Sequence, residues 1–215
     1  MKFEKSDIEV LENFATINSN MLFRPGTEIR TISPAKNVFA VATIQQEIPQ
    51  QFAIFDLSNF LSVLSIGEGD LDFQDNHVEV NTLGGSINYY FSNPELILAA
   101  PEKNIVVDKE FSFELTSDDV KQLFKIGALL SAPHLSFTCK KGKVTMQLAD
   151  RKNSSSNSFK KVVGKHDGDF DVYVSFDTIK VLPLNYTVSI SKKKVLHFES
   201  QNVQYWVSVD ANSKI

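Results

Sequence analysis

Cysteine occurs once in the 215 residues, at Cys139, so no disulfide can form within the chain. Lying beside Phe137 and Thr138, that thiol suits a strand in a reducing compartment. One cysteine cannot build a structural zinc site, and His77, His134, His166 and His197 include no pair at the i, i+4 spacing of a helical one. No apolar run approaches the roughly 18 to 20 residues that cross a bilayer. The opening Met1-Lys2-Phe3-Glu4-Lys5-Ser6-Asp7 lacks the apolar segment of a secretory signal, so a soluble cytoplasmic chain with no membrane partner is expected. A phosphate loop of the form G-x-x-x-x-G-K-[ST] is missing, as is a nucleophile elbow. Gly67-Glu68-Gly69-Asp70 follows a helical pattern instead of opening one, and His166-Asp167 with Asp169 and Asp171 reads as a turn. No catalytic residue, metal or cofactor is expected. An excess of positive charge is missing too. The net charge is −4 and the pI about 5.6, so nucleic acid could be held only by a local patch or by geometry.

What the chain has is phenylalanine, 17 residues of it, within a 42% hydrophobic composition that can fill substantial cores. Periodicity divides it into four units of about 40 to 50 residues, each a short helix followed by strands. In the first, Ser6 is placed to cap a helix carrying Ile8, Leu11 and Ala15, and strands follow at 21–24, 28–33 and 38–44. The second opens with a strand at 51–55; its helix bears Leu57, Phe60, Leu61 and Leu64, and strands run 71–74, 77–83 and 86–91 with Gly84-Gly85 as a turn. In the third, a strand at 111–116 leads into a helix capped at Thr116 or Ser117, with Asp118 and Asp119 in its first turn and Pro133 beyond its end. Strands at 135–140 and 143–149 flank Lys141-Gly142, and another follows at 159–163 after a polar loop at 151–157. The fourth places a strand at 169–175, a short helix near 177–182 ended by Pro183, and strands at 186–191, 195–199 and 203–209. Lys192-Lys193-Lys194 falls at a hairpin tip.

Two units to a domain give an α+β fold of two similar domains, each with two short helices packed on antiparallel sheets: residues 1–92, a connector at 93–110, and residues 111–215. Helices with a single apolar stripe must lie across a sheet, so their polar faces form a surface and not a pocket. The segment Ser-Ile-Asn-Tyr-Tyr-Phe at 86–91 has neither charge nor proline. It is either internal to a sheet or paired with another subunit.

Three stretches resemble one family. Leu11-Glu12-Asn13-Phe14-Ala15-Thr16-Ile17-Asn18-Ser19, then Ala53-Ile54-Phe55-Asp56-Leu57 with Phe60-Leu61 and Leu64-Ser65, then Asp119-Val120-Lys121-Gln122-Leu123-Phe124 are similar to the DNA polymerase sliding clamps of T-even-type bacteriophages, in the same order and spacing. The loop at 151–157 is this sequence's own. The resemblance implies a head-to-tail homotrimeric ring, placed around duplex DNA by an ATP-driven clamp loader without regard to base sequence. That ring would tether the replicative DNA polymerase in the cytoplasm of an infected bacterium.

The same resemblance implies roles for particular residues. Cations on the helix faces away from the core would face DNA: Lys5, Lys121, Lys125 and Lys180. Ring closure by strand pairing would use Ser86, Ile87, Asn88, Tyr89, Tyr90 and Phe91 of one subunit with Phe159, Lys160, Lys161, Val162 and Val163 of the next. A groove for partner peptides would draw on Leu96, Ile97, Leu98, Val106 and Val107 of the connector and on Pro183, Leu184, Tyr205 and Trp206. The other reading of the same pattern is a non-enzymatic peptide-binding or assembly module without a DNA tunnel.

Overall fold

The computed structural model describes residues 1–67 and 70–215; Glu68 and Gly69, part of the turn expected after the second helix, lie outside the described residues. The chain forms two compact units, Met1–Asn104 and Ile105–Ile215, so the expected connector is divided between them.

In the first unit, α1 (Lys5–Ile17) precedes β1 (Met21–Phe23), β2 (Gly26–Ile32), β3 (Val38–Ile48) and β4 (Phe52–Ile54). Then come α2 (Leu57–Ile66), β5 (Leu71–Phe73), β6 (His77–Thr82) and β7 (Gly85–Tyr90). All pairings are antiparallel: β1 with β4, β2 with β3, and β5–β6–β7 in that order. Leu11, Phe14 and Ile17 of α1, and Leu57, Phe60, Leu61 and Leu64 of α2, are the buried stripes that fasten the helices down. Between them and the strands, Phe52 stacks on Phe23 with centroids 4.4 Å apart and meets Phe60, Phe73 and Phe91 within 6.5 Å. Each fully buried ring contributes about 1.5–3 kcal/mol relative to exposure, so this cluster is a main source of the unit's core energy.

α1 begins two residues earlier than Ser6 would place it. Glu4 is the N-cap, and its N–H donates to the Asp7 carboxyl at 3.4 Å. Asp7, only 2% exposed, also accepts the N–H groups of Gln45 (2.9 Å) and Gln46 (3.3 Å). Those two residues sit where the β2–β3 register breaks, between the Glu28↔Thr43 and Gly26↔Ile48 pairs. The bulge leaves N–H groups that the ladder cannot satisfy, and Asp7 satisfies them. Exchanging Asp7 for alanine is expected to lower the unfolding free energy by about 3 kcal/mol. Urea denaturation measures it, and Asp7→Asn, which keeps one acceptor oxygen, should lose less.

In the second unit, β8 (Phe111–Leu115) leads into α3 (Ser117–Leu130), followed by β9 (His134–Lys140), β10 (Lys143–Ala149), β11 (Phe159–Lys165) and β12 (Phe170–Ser175). The chain ends with β13 (Tyr186–Ser191), β14 (Val195–Glu199) and β15 (Val203–Ser208). One antiparallel array has the order β11–β10–β9–β12, and another runs β15–β14–β13–β8. Thr116 caps α3 through the Asp119 N–H at 3.1 Å, and Asp119 returns the bond to the Thr116 N–H. Val120 and Leu123 bury its apolar face, and Gly127 lets it approach Phe176 so closely that a Cβ there would lie 2.2 Å from the ring. Lys141 and Gly142, at φ 51° and 74°, form the two-residue turn joining β9 to β10.

The fourth expected helix does not form. Residues Phe176–Thr178 make one 3-10 turn, and the chain then extends past Ile179 and Val181, both buried. Competing hydrogen bonds explain this. The Leu182 carbonyl accepts the Tyr186 hydroxyl at 2.9 Å, and the Leu182 N–H donates to the Tyr205 hydroxyl at 3.4 Å, while Pro183 has no N–H to offer. A smaller shift concerns the β6–β7 hairpin, whose loop is Leu83-Gly84; Gly85 already belongs to β7.

Candidate functional site

The polar faces of α1, α2 and α3 differ in charge. On α1, Lys5 stands 4.0 Å from Glu9, with Glu12 and Asn13 on the same side. On α2 the exposed residues Ser58, Asn59, Ser62 and Ser65 carry no charge. Ser62 donates its hydroxyl to the Ser58 carbonyl at 2.9 Å and Ser65 to the Ser62 carbonyl at 2.7 Å. On α3, Lys121 and Lys125 are exposed one turn apart, opposite the buried Val120 and Leu123. Lys121 reaches Asp118 at 3.5 Å, an exposed pair worth about 1 kcal/mol at most. Lys180 lies beyond the 3-10 turn, half-buried and on no helix, because the helix expected to carry it is not there.

The segment at 86–91 falls at a sheet margin. β7 is the outer strand of β5–β6–β7 and has no fully buried residue. Thr82 and Gly85 flank a two-residue loop, which makes them a hydrogen-bonded pair. By alternation Ile87 and Tyr89 bond to β6, while Ser86, Asn88 and Tyr90 turn their N–H and C=O groups outward. Phe91, next in the alternation, faces inward again, its N–H donating to the Asn76 carbonyl at 2.9 Å.

In the second unit β11 is likewise outermost. Lys140 and Lys143 flank the turn between β9 and β10, so Val144, Met146 and Leu148 bond to β11, which directs the backbone groups of Phe159 and Lys161 inward and those of Lys160 and Val162 outward. The Lys161 ammonium holds the Asp119 carboxylate at the start of α3, and with the Thr116 N–H it keeps that carboxyl below its usual range. Val162 stands exposed and Val163 is half-buried.

The expected groove residues divide by burial. Leu96 and Val106 are exposed, Leu98 and Val107 half-buried, and Ile97 buried. The Leu98 N–H donates to the Asn20 side chain at 3.2 Å. Pro183 and Leu184 are exposed. Tyr205 and Trp206 are not: both are core residues. Tyr205 packs edge-on to Tyr186 beneath the Leu182 turn, and burial raises its hydroxyl pKa. Trp206 stacks on His197 with centroids 4.7 Å apart; burial lowers the His197 pKa, so that ring is neutral at pH 7 and adds no buried charge. Tyr205 therefore supports the turn that presents Pro183 and Leu184.

Sequence reasoning passed over Arg151, which it placed in a polar loop. Its guanidinium makes two bonds to Asp171, at 2.8 and 2.7 Å, and lies 4.0 Å over the Tyr173 ring. An isolated arginine in a Ser- and Asn-rich loop gives no local sign of a partner 20 residues away.

Two family models match the chain, DNA polymerase processivity factor over residues 4–80 and gp45 sliding clamp, C terminal, over residues 112–211. Among curated proteins, the sliding clamp of Vibrio phage KVP40 is 31% identical, covering 98% of this chain and 100% of the relative. The sliding clamps of Enterobacteria phage T4 and Escherichia phage RB69 are 26% and 28% identical, each covering 99% of this chain and 98% of the relative. Similar solved structures include the proliferating cellular nuclear antigens of Entamoeba histolytica (TM-score 0.71, 14% identity, 97% of both chains) and Thermococcus kodakaraensis (TM-score 0.70, 13% identity, 97% of this chain and 98% of the other). At such identities these structures show the shared fold. With a relative 31% identical along its whole length and clamp-family matches in both units, this chain belongs to the sliding clamp family.

Proposed function

We propose that three copies close head to tail into a ring around duplex DNA and hold the replicative polymerase at its primer, after an ATP-driven loader has opened and placed the ring. The observation that supports this most directly is the pair of unsatisfied outer strands, β7 in one unit and β11 in the other. Each presents alternate backbone groups with no partner strand among the described residues, and antiparallel pairing of one copy's β7 with the next copy's β11 satisfies both. Because the two surfaces differ, the contact is heterologous, and it stays finite only if the rotation closes.

The helix faces suit a ring that retains DNA by threading. Lys121 and Lys125 supply mild positive charge, and Lys5 and Lys180 add little. Affinity for duplex weakens with a salt slope of about −0.9 per neutralised phosphate, and strong contacts would slow sliding. Threading needs no such grip, and tethering keeps a polymerase at roughly millimolar effective concentration. Short apolar peptides of polymerase and loader would dock on the second unit's exposed Val106, Pro183 and Leu184, the last two on a turn held by Tyr205. No chemical step is assigned to the chain, and its place of work is the cytoplasm of an infected bacterium. No helix among the described residues is long and apolar enough to cross a membrane.

The test is topological. Loaded onto a nicked circle, the protein should co-elute with DNA and be lost once the circle is linearised. Retention that ignores linearisation, or binding to polymerase peptides alone, would favour the assembly module without a tunnel.

A further inference from the structure

The array β11–β10–β9–β12 has two outer strands, and the chain treats them in opposite ways. β11 is left open, as described. On β12, the outward backbone groups of Asp171 and Tyr173 are all taken by the last residues of the chain. The Asp171 N–H donates to the Lys214 carbonyl and the Lys214 N–H to the Asp171 carbonyl, both at 2.8 Å, as an antiparallel bridge. The Asp210 N–H donates to the Tyr173 carbonyl at 2.8 Å, and the Tyr173 N–H donates to the Ser213 hydroxyl at 3.1 Å. Side chains fix this segment in place. The Tyr173 hydroxyl and the Asn212 N–H both donate to one Asp210 carboxylate oxygen, at 2.9 and 2.8 Å. Arg151 holds Asp171 and covers the Tyr173 ring, and Ser213 is buried among exposed neighbours.

We propose that residues 210–214 are an edge cap that reserves strand addition on this array for β11, and that β12, once uncapped, accepts β7 of a second copy. The proposal rests on the ring-closure reading above. A bare edge is a template for any extended chain. β7 has no charge to repel it from either edge and carries three outward N–H groups, at Ser86, Asn88 and Tyr90. Were both edges open, one β7 would have two acceptors per neighbour. Only one acceptor has the rotation that closes, and the other would propagate open chains. Five residues, 210–214, thereby decide between a hoop and a filament.

The experiment compares the native mass of the full chain with that of a chain ending at Val209, by light scattering across concentration, with a thermal melt for each. The full chain is expected to hold one discrete multi-copy mass. The shortened chain should melt cooperatively yet rise with concentration to at least about twice that mass, as open chains form. Adding Asp171→Pro to the shortened chain removes an outward N–H without touching the β9 ladder and should restore the discrete mass. An unchanged mass in the folded, shortened chain overturns the proposal, and so does extra association that Asp171→Pro leaves in place. If shortening prevents folding, the full-length double variant Asp210→Ala with Ser213→Ala, which removes the cap's anchors, is judged by the same two outcomes. A full chain with no discrete multi-copy mass would instead sink the ring reading, leaving the cap to be decided by the shift on shortening alone.

Discussion

Asn88→Pro is expected to convert the assembled protein into single chains of 24.1 kDa. Asn88 lies at the middle of β7 with its N–H turned away from β6, so proline there leaves the β6 ladder intact while removing a donor from the free edge. The pyrrolidine ring also occupies the space a neighbouring strand must enter. A loss of about 1.4 kcal/mol at one contact is tenfold in its equilibrium constant. A closed trimer makes the same contact three times, so the penalty compounds to about a thousandfold. Light scattering should show one third of the parent mass with an unchanged thermal midpoint, and DNA synthesis should lose its processivity. Asn88→Ala, which keeps the N–H, should remain assembled. A persistent trimer in the proline variant would place the subunit contact elsewhere.

The second large effect is expected from Lys121→Glu combined with Lys125→Glu. The pair is exposed on α3, away from Val120 and Leu123, so the substitutions touch no core contact. A glutamate at 121 faces Asp118 across one turn, a repulsion of a few tenths of a kcal/mol, about 0.3, which the fold tolerates. The α3 face proposed to meet DNA changes by four charges per subunit. Loading at low salt should slow by about tenfold or more as electrostatic attraction turns to repulsion. If each lysine neutralises one phosphate, the salt slope should fall by about 1.8 per subunit in contact. Native mass should not move. Unaltered loading at physiological salt would show that these lysines face solvent alone.

Most elements were legible because their signals are local. The Leu57, Phe60, Leu61 and Leu64 spacing, the Thr116 and Asp119 capping pair and the Lys141-Gly142 turn each settle their own conformation within a few residues. The misses all depend on partners distant in sequence. Phe176, Ile179, Val181 and Leu182 are compatible with helix or extended chain, and hydroxyls from Tyr186 and Tyr205 decide for the latter. Ser6 is a sound cap by type, but the bulge at Gln45 and Gln46 draws Asp7 into the core and sets the helix start. Strand character at 86–91 is written in its residues, whereas a position at the margin depends on what else pairs with β6. Tyr205 and Trp206 have the chemistry of an interface anchor, and only packing shows that they are covered. Nothing at Arg151 or Lys214 foretells that both converge on Asp171.

The hydroxyls of α2 have a mechanical consequence. Ser62 and Ser65 direct their hydrogens into carbonyls of their own helix, so these two hydroxyls turn lone pairs outward and leave Ser58 and Asn59 as the donors of an uncharged face. A phosphate drawn across it would find no ion to pair with and two neutral donors at most, and would leave about as readily as it came. In the proposed ring such a face would work as a bearing: it would set how close the axle can run while adding little drag.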